Sequence, residues 1–238
     1  MDKSNLVEIK KGEIGTGLLI EHDGYISCEC GDNKKLFESY NNTKDGEDYC
    51  PFPFIVSAVF QKFDKENANG RIYPESILKR EVDKYMTKLR EKWAYGECNH
   101  PAESTIDLSR VAINIVELHW EGKTLVGKLE IITSPGFRKY GIISCQGDQV
   151  ANLILQGLKV GVSSRGLGTV TQRMGKLVVG EDFELVCWDV VSDPSTPNAF
   201  ITPEDAIPEL YIESKDNSTK NGKKLIEELK GFDEWLNK

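Results

Sequence analysis

From Arg110 onward the apolar residues fall on alternate positions. Val111, Ile113 and Ile115 share one face, and Leu125, Leu129 and Ile131 repeat the pattern after Trp120-Glu121-Gly122-Lys123. A period of two belongs to an extended strand, whose successive side chains point to opposite faces. Two such runs flanking a glycine predict a long β-hairpin with Gly122 in its turn. Ser134-Pro135-Gly136 ends it.

Around the hairpin the sequence predicts further strands: Phe54 to Phe60, which follows Pro53, and residues 159–165, 177–179 and 184–191. Pro74 opens a helix whose Ile77, Leu78, Val82, Tyr85, Met86 and Leu89 recur at helical spacing. A second helix is expected over residues 149–156, ending at Gly157. Strands with inserted helices, rather than regular βαβ units, predict an α+β fold. Residues 1–50 mix short apolar strings with acidic, Asn-rich and Gly-rich loops and read as an irregular arm, so the core is expected to start near Phe54. Residues 51–204 form the domain. Residues 205–238 are expected to form a polar tail in which Leu225, Leu229, Phe232 and Leu236 suit an amphipathic helix.

Composition narrows the function. The 238 residues carry 30 Lys and Arg against 38 Asp and Glu, a formal charge of −8, which argues against general nucleic-acid binding. No stretch approaches the roughly 18 apolar residues of a membrane span. The N-terminus lacks a signal-peptide apolar region, so the protein is expected to stay inside a cell with its cysteines reduced. Cys28-Glu29-Cys30 lies near His22, but no second Cys or His pair sits at zinc-ligand spacing, and no metal is expected.

The chain has three histidines. His22 lies in the arm and His119 at a strand end beside the hairpin turn, where a surface role is the default. His100 sits in the Gly- and Pro-bounded loop Tyr95-Gly96-Glu97-Cys98-Asn99-His100-Pro101, which can hold an imidazole at fixed orientation for base chemistry. In Val160-Gly161-Val162-Ser163-Ser164-Arg165-Gly166 the valines mark one strand face, so Ser163 and Arg165 project from the other. A serine there becomes a nucleophile only if an imidazole takes its proton. Asp189 interrupts an apolar strand and needs a partner if buried. An imidazole is one candidate, as in a Ser-His-Asp set. Asp193, before a proline, reads as a turn residue.

Four segments occur in order: Asn67-Ala68-Asn69-Gly70-Arg71-Ile72-Tyr73-Pro74, Gly96-Glu97-Cys98-Asn99-His100-Pro101, Gly161-Val162-Ser163-Ser164-Arg165-Gly166-Leu167-Gly168, and Asp189-Val190-Val191-Ser192-Asp193-Pro194-Ser195-Thr196-Pro197-Asn198-Ala199-Phe200. Together they resemble the prohead core proteases of T-even-type tailed bacteriophages, relatives of the herpesvirus assemblin proteases. The resemblance covers about residues 54 to 203. It implies a mainly antiparallel β-barrel core with surrounding helices. It also implies a serine endopeptidase inside the immature phage head, within the host cytoplasm, which digests scaffold and core proteins, trims the major capsid protein and cleaves itself. His100 falls on the family's general base, Ser163 on its nucleophile and Asp189 on its acidic member. The herpesvirus relatives use a second histidine in that third place, which makes His119 a minor rival. Arg165, with Gly166, matches the position of oxyanion-stabilising groups. Cys98 stands where the phage motif often has an apolar residue.

Such a mechanism needs no metal or organic cofactor. The family's preference for Glu with an aliphatic residue two positions earlier marks Leu36-Phe37-Glu38 and Leu225-Ile226-Glu227 as self-cleavage sites, at Glu38 and Glu227. The arm and tail are then removable pro-segments, the tail docking the enzyme to scaffold, and self-assembly into a homo-oligomer is compatible with a crowded prohead core. Two alternatives stand beside this reading: a non-catalytic scaffold or capsid-assembly protein that keeps the fold, and a different serine hydrolase such as an esterase.

Overall fold

The computed structural model describes residues 7–21, 49–196 and 201–203. His22, Cys28, Cys30, Glu38, Glu227 and the C-terminal amphipathic pattern lie outside them.

The hairpin forms as its alternation predicts, from β5 (Val111–Glu121) and β6 (Thr124–Ile131), with Gly122 at φ 58° in the turn. It is the centre of a sheet ordered β10 (Ile201–Pro203), β2 (Phe54–Lys62), β6, β5, β4 (Tyr95–Glu97). A second sheet runs β1 (Gly15–Ile20), β7 (Gly161–Arg173), β8 (Lys176–Val179), β3 (Arg71–Ile72), with β9 (Glu184–Val191) also paired to β7. All the ladders are antiparallel except β3 with β8.

The α+β expectation therefore holds, but the barrel does not appear as one continuous ladder. Among the described residues there are two five-stranded sheets, which meet at two narrow seams. At one, the Asn99 amide donates to the Val190 carbonyl at 2.8 Å beside a lone Cys98–Val190 bridge; at the other, the Ile201 amide donates to the Val160 carbonyl at 2.9 Å.

Helix α1 (Glu75–Arg90) starts directly after Pro74 and buries Ile77, Leu78, Val82 and Tyr85. Its Tyr85 ring meets Trp188 of β9 edge-on at 4.9 Å, and Phe60 of β2 meets the same indole at 5.5 Å. Trp188 is thereby locked into the core, which fixes the register of β9. Because side chains alternate along a strand, Cys187 and Asp189 must then face the other way.

Three local differences from the sequence reading have simple causes. Residues 15–20 form a strand instead of an irregular arm. Leu18 and Ile20 pack with Leu167 on one face while Leu19 enters the main core on the other. Ser134-Pro135-Gly136 starts a short helix, α2 (Pro135–Tyr140), with Ser134 as N-cap and Pro135 in its first turn. Helix α3 (Gln146–Leu155) begins three residues earlier than expected, because the Asp148 carboxylate accepts the Ser144 and Cys145 amides at 2.8 and 3.1 Å. Those bonds organise the helix start more strongly than periodicity can reveal.

Candidate active site

Ser163 and Asp189 are direct cross-strand partners in the β7–β9 ladder, and Arg165 is opposite Cys187. Opposed residues of an antiparallel pair project from the same face. All four side chains therefore share one face, with Trp188 on the reverse. Strand pairing alone brings the serine and the acid together.

The imidazole arrives from a separate element. Asn99, at φ 63° in the left-handed region that asparagine tolerates better than most residues, turns the chain after β4. The amide of Cys98 donates to the Arg110 carbonyl at 3.0 Å, Arg110 Nη2 returns a bond to the Cys98 carbonyl at 2.9 Å, and the Asp107 amide donates to Glu97 Oε1 at 2.8 Å. The loop carrying His100 is thus closed on itself. Its imidazole is buried, with Nδ1 2.8 Å from Asp189 Oδ2.

Asp189 is fully buried and has four further contacts. Arg165 Nε donates to Oδ2 at 2.9 Å and Nη2 approaches Oδ1 at 3.3 Å; the Glu97 amide and the Cys187 thiol donate to Oδ1 at 2.9 and 3.2 Å. Burial pushes the Asp189 carboxyl up, but His100, Arg165 and the Glu97 amide outweigh it and hold the group below the usual carboxylate range. The ionised acid can only accept, so His100 Nδ1 carries the proton that lies between them. Arg165 also bonds Glu97 Oε2 and donates to the Glu103 carbonyl at 2.5 Å. Burial works against its charge, but Asp189 and Glu97 more than offset this and keep the guanidinium protonated. Burial likewise pushes the Cys187 thiol up, with Asp189 adding to the effect.

Arg165 is thus committed to the two acids behind the imidazole, where the sequence suggested a role near an oxyanion. Gly166 lies at the β7 bulge against β9, where a Cβ would come within 2.4 Å of the Phe183 ring. His119 is exposed on β5 between Glu117 at 3.2 Å and Glu121 at 3.3 Å, and the side chain at His100 Nδ1 is that of Asp189. Sequence reasoning assigned no role to Glu97 or Cys187. Glu97 lay inside a quoted motif, and Cys187 is two residues from Asp189, on its strand face. Nor did it foresee that Ser163 is covered. The residue is 1% exposed, and its hydroxyl donates to the main-chain carbonyl of Glu21 at 2.9 Å, with Ser195 Oγ at 3.4 Å.

A buried carboxylate–imidazole pair beside a serine-bearing strand is equipment for moving a proton, as a hydrolytic enzyme does. The chain belongs to the prohead core protein serine protease family, whose profile matches residues 18–210. Over 192 residues it is 35% identical to the prohead core protein protease of Enterobacteria phage T4, spanning 79% of this chain and 84% of that protein. Among solved structures it resembles the bacteriophage T4 capsid assembly protease, with a TM-score of 0.53 and 30% identity, covering 61% of this chain and 91% of that one. It is therefore a protease of bacteriophage capsid assembly.

Proposed function

We propose that this chain is a serine endopeptidase of the prohead interior, with Ser163 as nucleophile, His100 as general base and Asp189 as the acid that orients the imidazole and stabilises the positive charge it gains. The observation that carries the reading is the 2.8 Å contact between Asp189 and His100 Nδ1, with Ser163 directly across the ladder from that acid. A carboxylate on Nδ1 fixes the tautomer that leaves Nε2 basic.

The charge around the pair supports the same assignment. Glu97 and Asp189 set two carboxylates against the single Arg165 guanidinium. A positive charge developing on His100 as it takes the serine proton neutralises the excess. In a buried cluster that gain is larger than in water. The serine oxygen then attacks a peptide carbonyl, His100 returns the proton to the leaving nitrogen, and water hydrolyses the acyl-enzyme.

Its substrates are the scaffold, core and capsid proteins of the immature head, cut after Glu, and the chain itself. The arm before residue 39 and the tail after residue 227 are removable, the tail docking the enzyme to scaffold. Cover over the Ser163 hydroxyl suits an uncut precursor. Incubating the full chain with Glu-containing peptides, simple esters and scaffold protein tests the reading, with intact mass followed over time. Ser163→Ala and His100→Ala should each stop peptide cleavage and self-trimming. Unchanged self-trimming in Ser163→Ala would overturn the assignment, and ester hydrolysis without peptide cleavage would make the enzyme an esterase.

A further inference from the structure

Glu21 is held at both of its polar ends. Its main-chain carbonyl accepts the Ser163 hydroxyl at 2.9 Å. Its carboxylate, buried at 1% exposure, accepts Asn67 Nδ2 at 2.8 Å, Asn69 Nδ2 at 2.5 Å, Arg71 Nη1 at 3.0 Å and the Tyr73 hydroxyl at 2.5 Å. Two amides, a guanidinium and a phenol converge on one carboxylate, and all four come from the Asn67-to-Pro74 motif to which no role has yet been given.

That motif is shaped in advance. Asn67 Oδ1 accepts the amides of Asn69 and Arg71, each at 3.0 Å, and Gly70 at φ 74° lets the chain reverse between them. The donors are therefore grouped by their own turn rather than by the acid they hold. Arg71 Nη1 additionally reaches the Ile20 carbonyl at 3.1 Å. An ion pair that merely ties down an N-terminal strand would explain the carboxylate contacts. It would not explain why the carbonyl of the same residue lies on the candidate nucleophile.

The backbone adds a third observation. Strand β1 runs antiparallel to β7, the strand of Ser163, in register from Gly15 opposite Val170 to Ile20 opposite Arg165. Extended peptides bind in this way when they add a strand to a sheet: the ladder supplies affinity and a side-chain pocket supplies selection.

We infer that Asn67, Asn69, Arg71 and Tyr73 form the pocket that selects a glutamate side chain on the amino side of the cleaved bond, and that Glu21 occupies it as a substrate presented by the chain itself. The inference rests on Ser163 being the nucleophile. For cleavage the Ser163 oxygen turns from the carbonyl oxygen to the carbonyl carbon and forms an ester with Glu21. The bond from Glu21 to the following nitrogen breaks, that nitrogen takes the proton held by His100, and water then hydrolyses the ester to a free carboxylate and a restored hydroxyl. The segment that ends at Glu21 is at once plug and substrate, so a second glutamate segment enters only after it leaves. Aspartate is one methylene too short to reach all four donors, and glutamine sets an amide donor in place of an acceptor oxygen against the Arg71 guanidinium, which has no acceptor to offer.

Three matched peptides spanning residues 15–26, with Glu, Gln or Asp at position 21, test the pocket against the full-length chain and its Arg71→Lys, Tyr73→Phe and Ser163→Ala variants. Thermal melting verifies that each variant folds. The parent should cleave the Glu peptide about 100-fold more efficiently in kcat/KM than the Gln peptide, because unmatched polar groups in a buried site reject analogues strongly. That ratio should fall at least about tenfold in Tyr73→Phe, which loses one hydroxyl, and further in Arg71→Lys if it folds. Intact mass of the incubated parent should show loss of residues 1–21, and Glu21→Gln should suppress that cut. An unchanged Glu-to-Gln ratio in folded Tyr73→Phe, or self-trimming that never falls after Glu21, overturns the pocket. If Ser163→Ala cleaves like the parent, it is the nucleophile assignment that fails.

Discussion

One oxygen of Asp189, Oδ2, is shared between His100 Nδ1 at 2.8 Å and Arg165 Nε at 2.9 Å. The imidazole contact, with the guanidinium beside it, keeps the acid ionised, and the ionised acid keeps the imidazole proton on Nδ1. Asp189→Asn preserves shape but can present an N–H to the ring, which favours the opposite tautomer. By analogy with other acid–imidazole–serine sets, kcat should fall roughly 10³- to 10⁴-fold while the fold survives. Peptide-cleavage kinetics with a melting curve check it. A loss within tenfold would remove Asp189 from the mechanism.

Arg165 is the cation that lets two buried acids coexist. Arg165→Met leaves Glu97 and Asp189 in the same fully buried cluster with no fixed positive charge, and breaking such a pair costs about 3–5 kcal/mol. Arg165→Lys recovers part of this, because one ammonium cannot span Glu97, Asp189 and the Glu103 carbonyl as the guanidinium does. Urea unfolding in a Ser163→Ala background, which prevents self-digestion, measures the loss. A cost under about 1 kcal/mol would mean that the acids find other partners.

The parts of this site that follow from periodicity were legible in the sequence. Alternation placed Ser163 and Arg165 on one face of β7, and an acid in an apolar strand marked Asp189 as needing a partner. What alternation could not reveal is cover. The sequence leaves the Ser163 face open, whereas Ser163 and Arg165 are both buried, because β1 pairs with β7 and Glu21 lies over the serine. Residues 15–20 contain two glycines and few alternating positions, so their strand comes from pairing to β7 more than from their own pattern. The Glu97–Arg165 contact escaped for a related reason: a bond between residues 68 apart in sequence has no local signature. Leu19-Ile20-Glu21 fits the same aliphatic-x-Glu pattern as the segments ending at Glu38 and Glu227, yet only burial and a hydrogen bond single it out.

Asp148 should make stability depend on pH. Burial pushes its carboxyl up, but the amides of Ser134, Ser144 and Cys145 and the hydroxyls of Ser134 and Ser144 donate to it at 2.7 to 3.1 Å and hold it below its ordinary value. The folded state thus favours the ionised form. Its contribution is complete above the ordinary carboxylate pKa, near 3.9, and is lost as pH falls through the lower folded value. Asp148→Asn should destabilise by about 2–3 kcal/mol at neutral pH, and the gap should narrow towards pH 3. Denaturant midpoints for both proteins across that range are the measurement. A gap independent of pH would show that the charge contributes nothing.

Gly96 sets how closely β4 approaches β9. A Cβ there would come within 2.1 Å of the Trp188 carbonyl oxygen and 2.8 Å of Ile113 Cδ1, and the first of these neighbours is backbone. Gly96→Ala must therefore part the seam across which the Glu97 amide reaches Asp189 at 2.9 Å. Overpacking of this kind costs about 1–3 kcal/mol. Because the strand that moves carries both Glu97 and the start of the His100 loop, cleavage should fall by at least about tenfold even far below the melting temperature, since a displacement near 1 Å can cost 10²-fold. Gly136→Ala is the control: its nearest neighbour, Ile142 Cβ, is 3.9 Å away, an ordinary contact, so stability and activity should both hold. If Gly96→Ala loses stability yet cleaves at the parent rate, the β4–β9 seam supports the fold without aligning the acid and the imidazole.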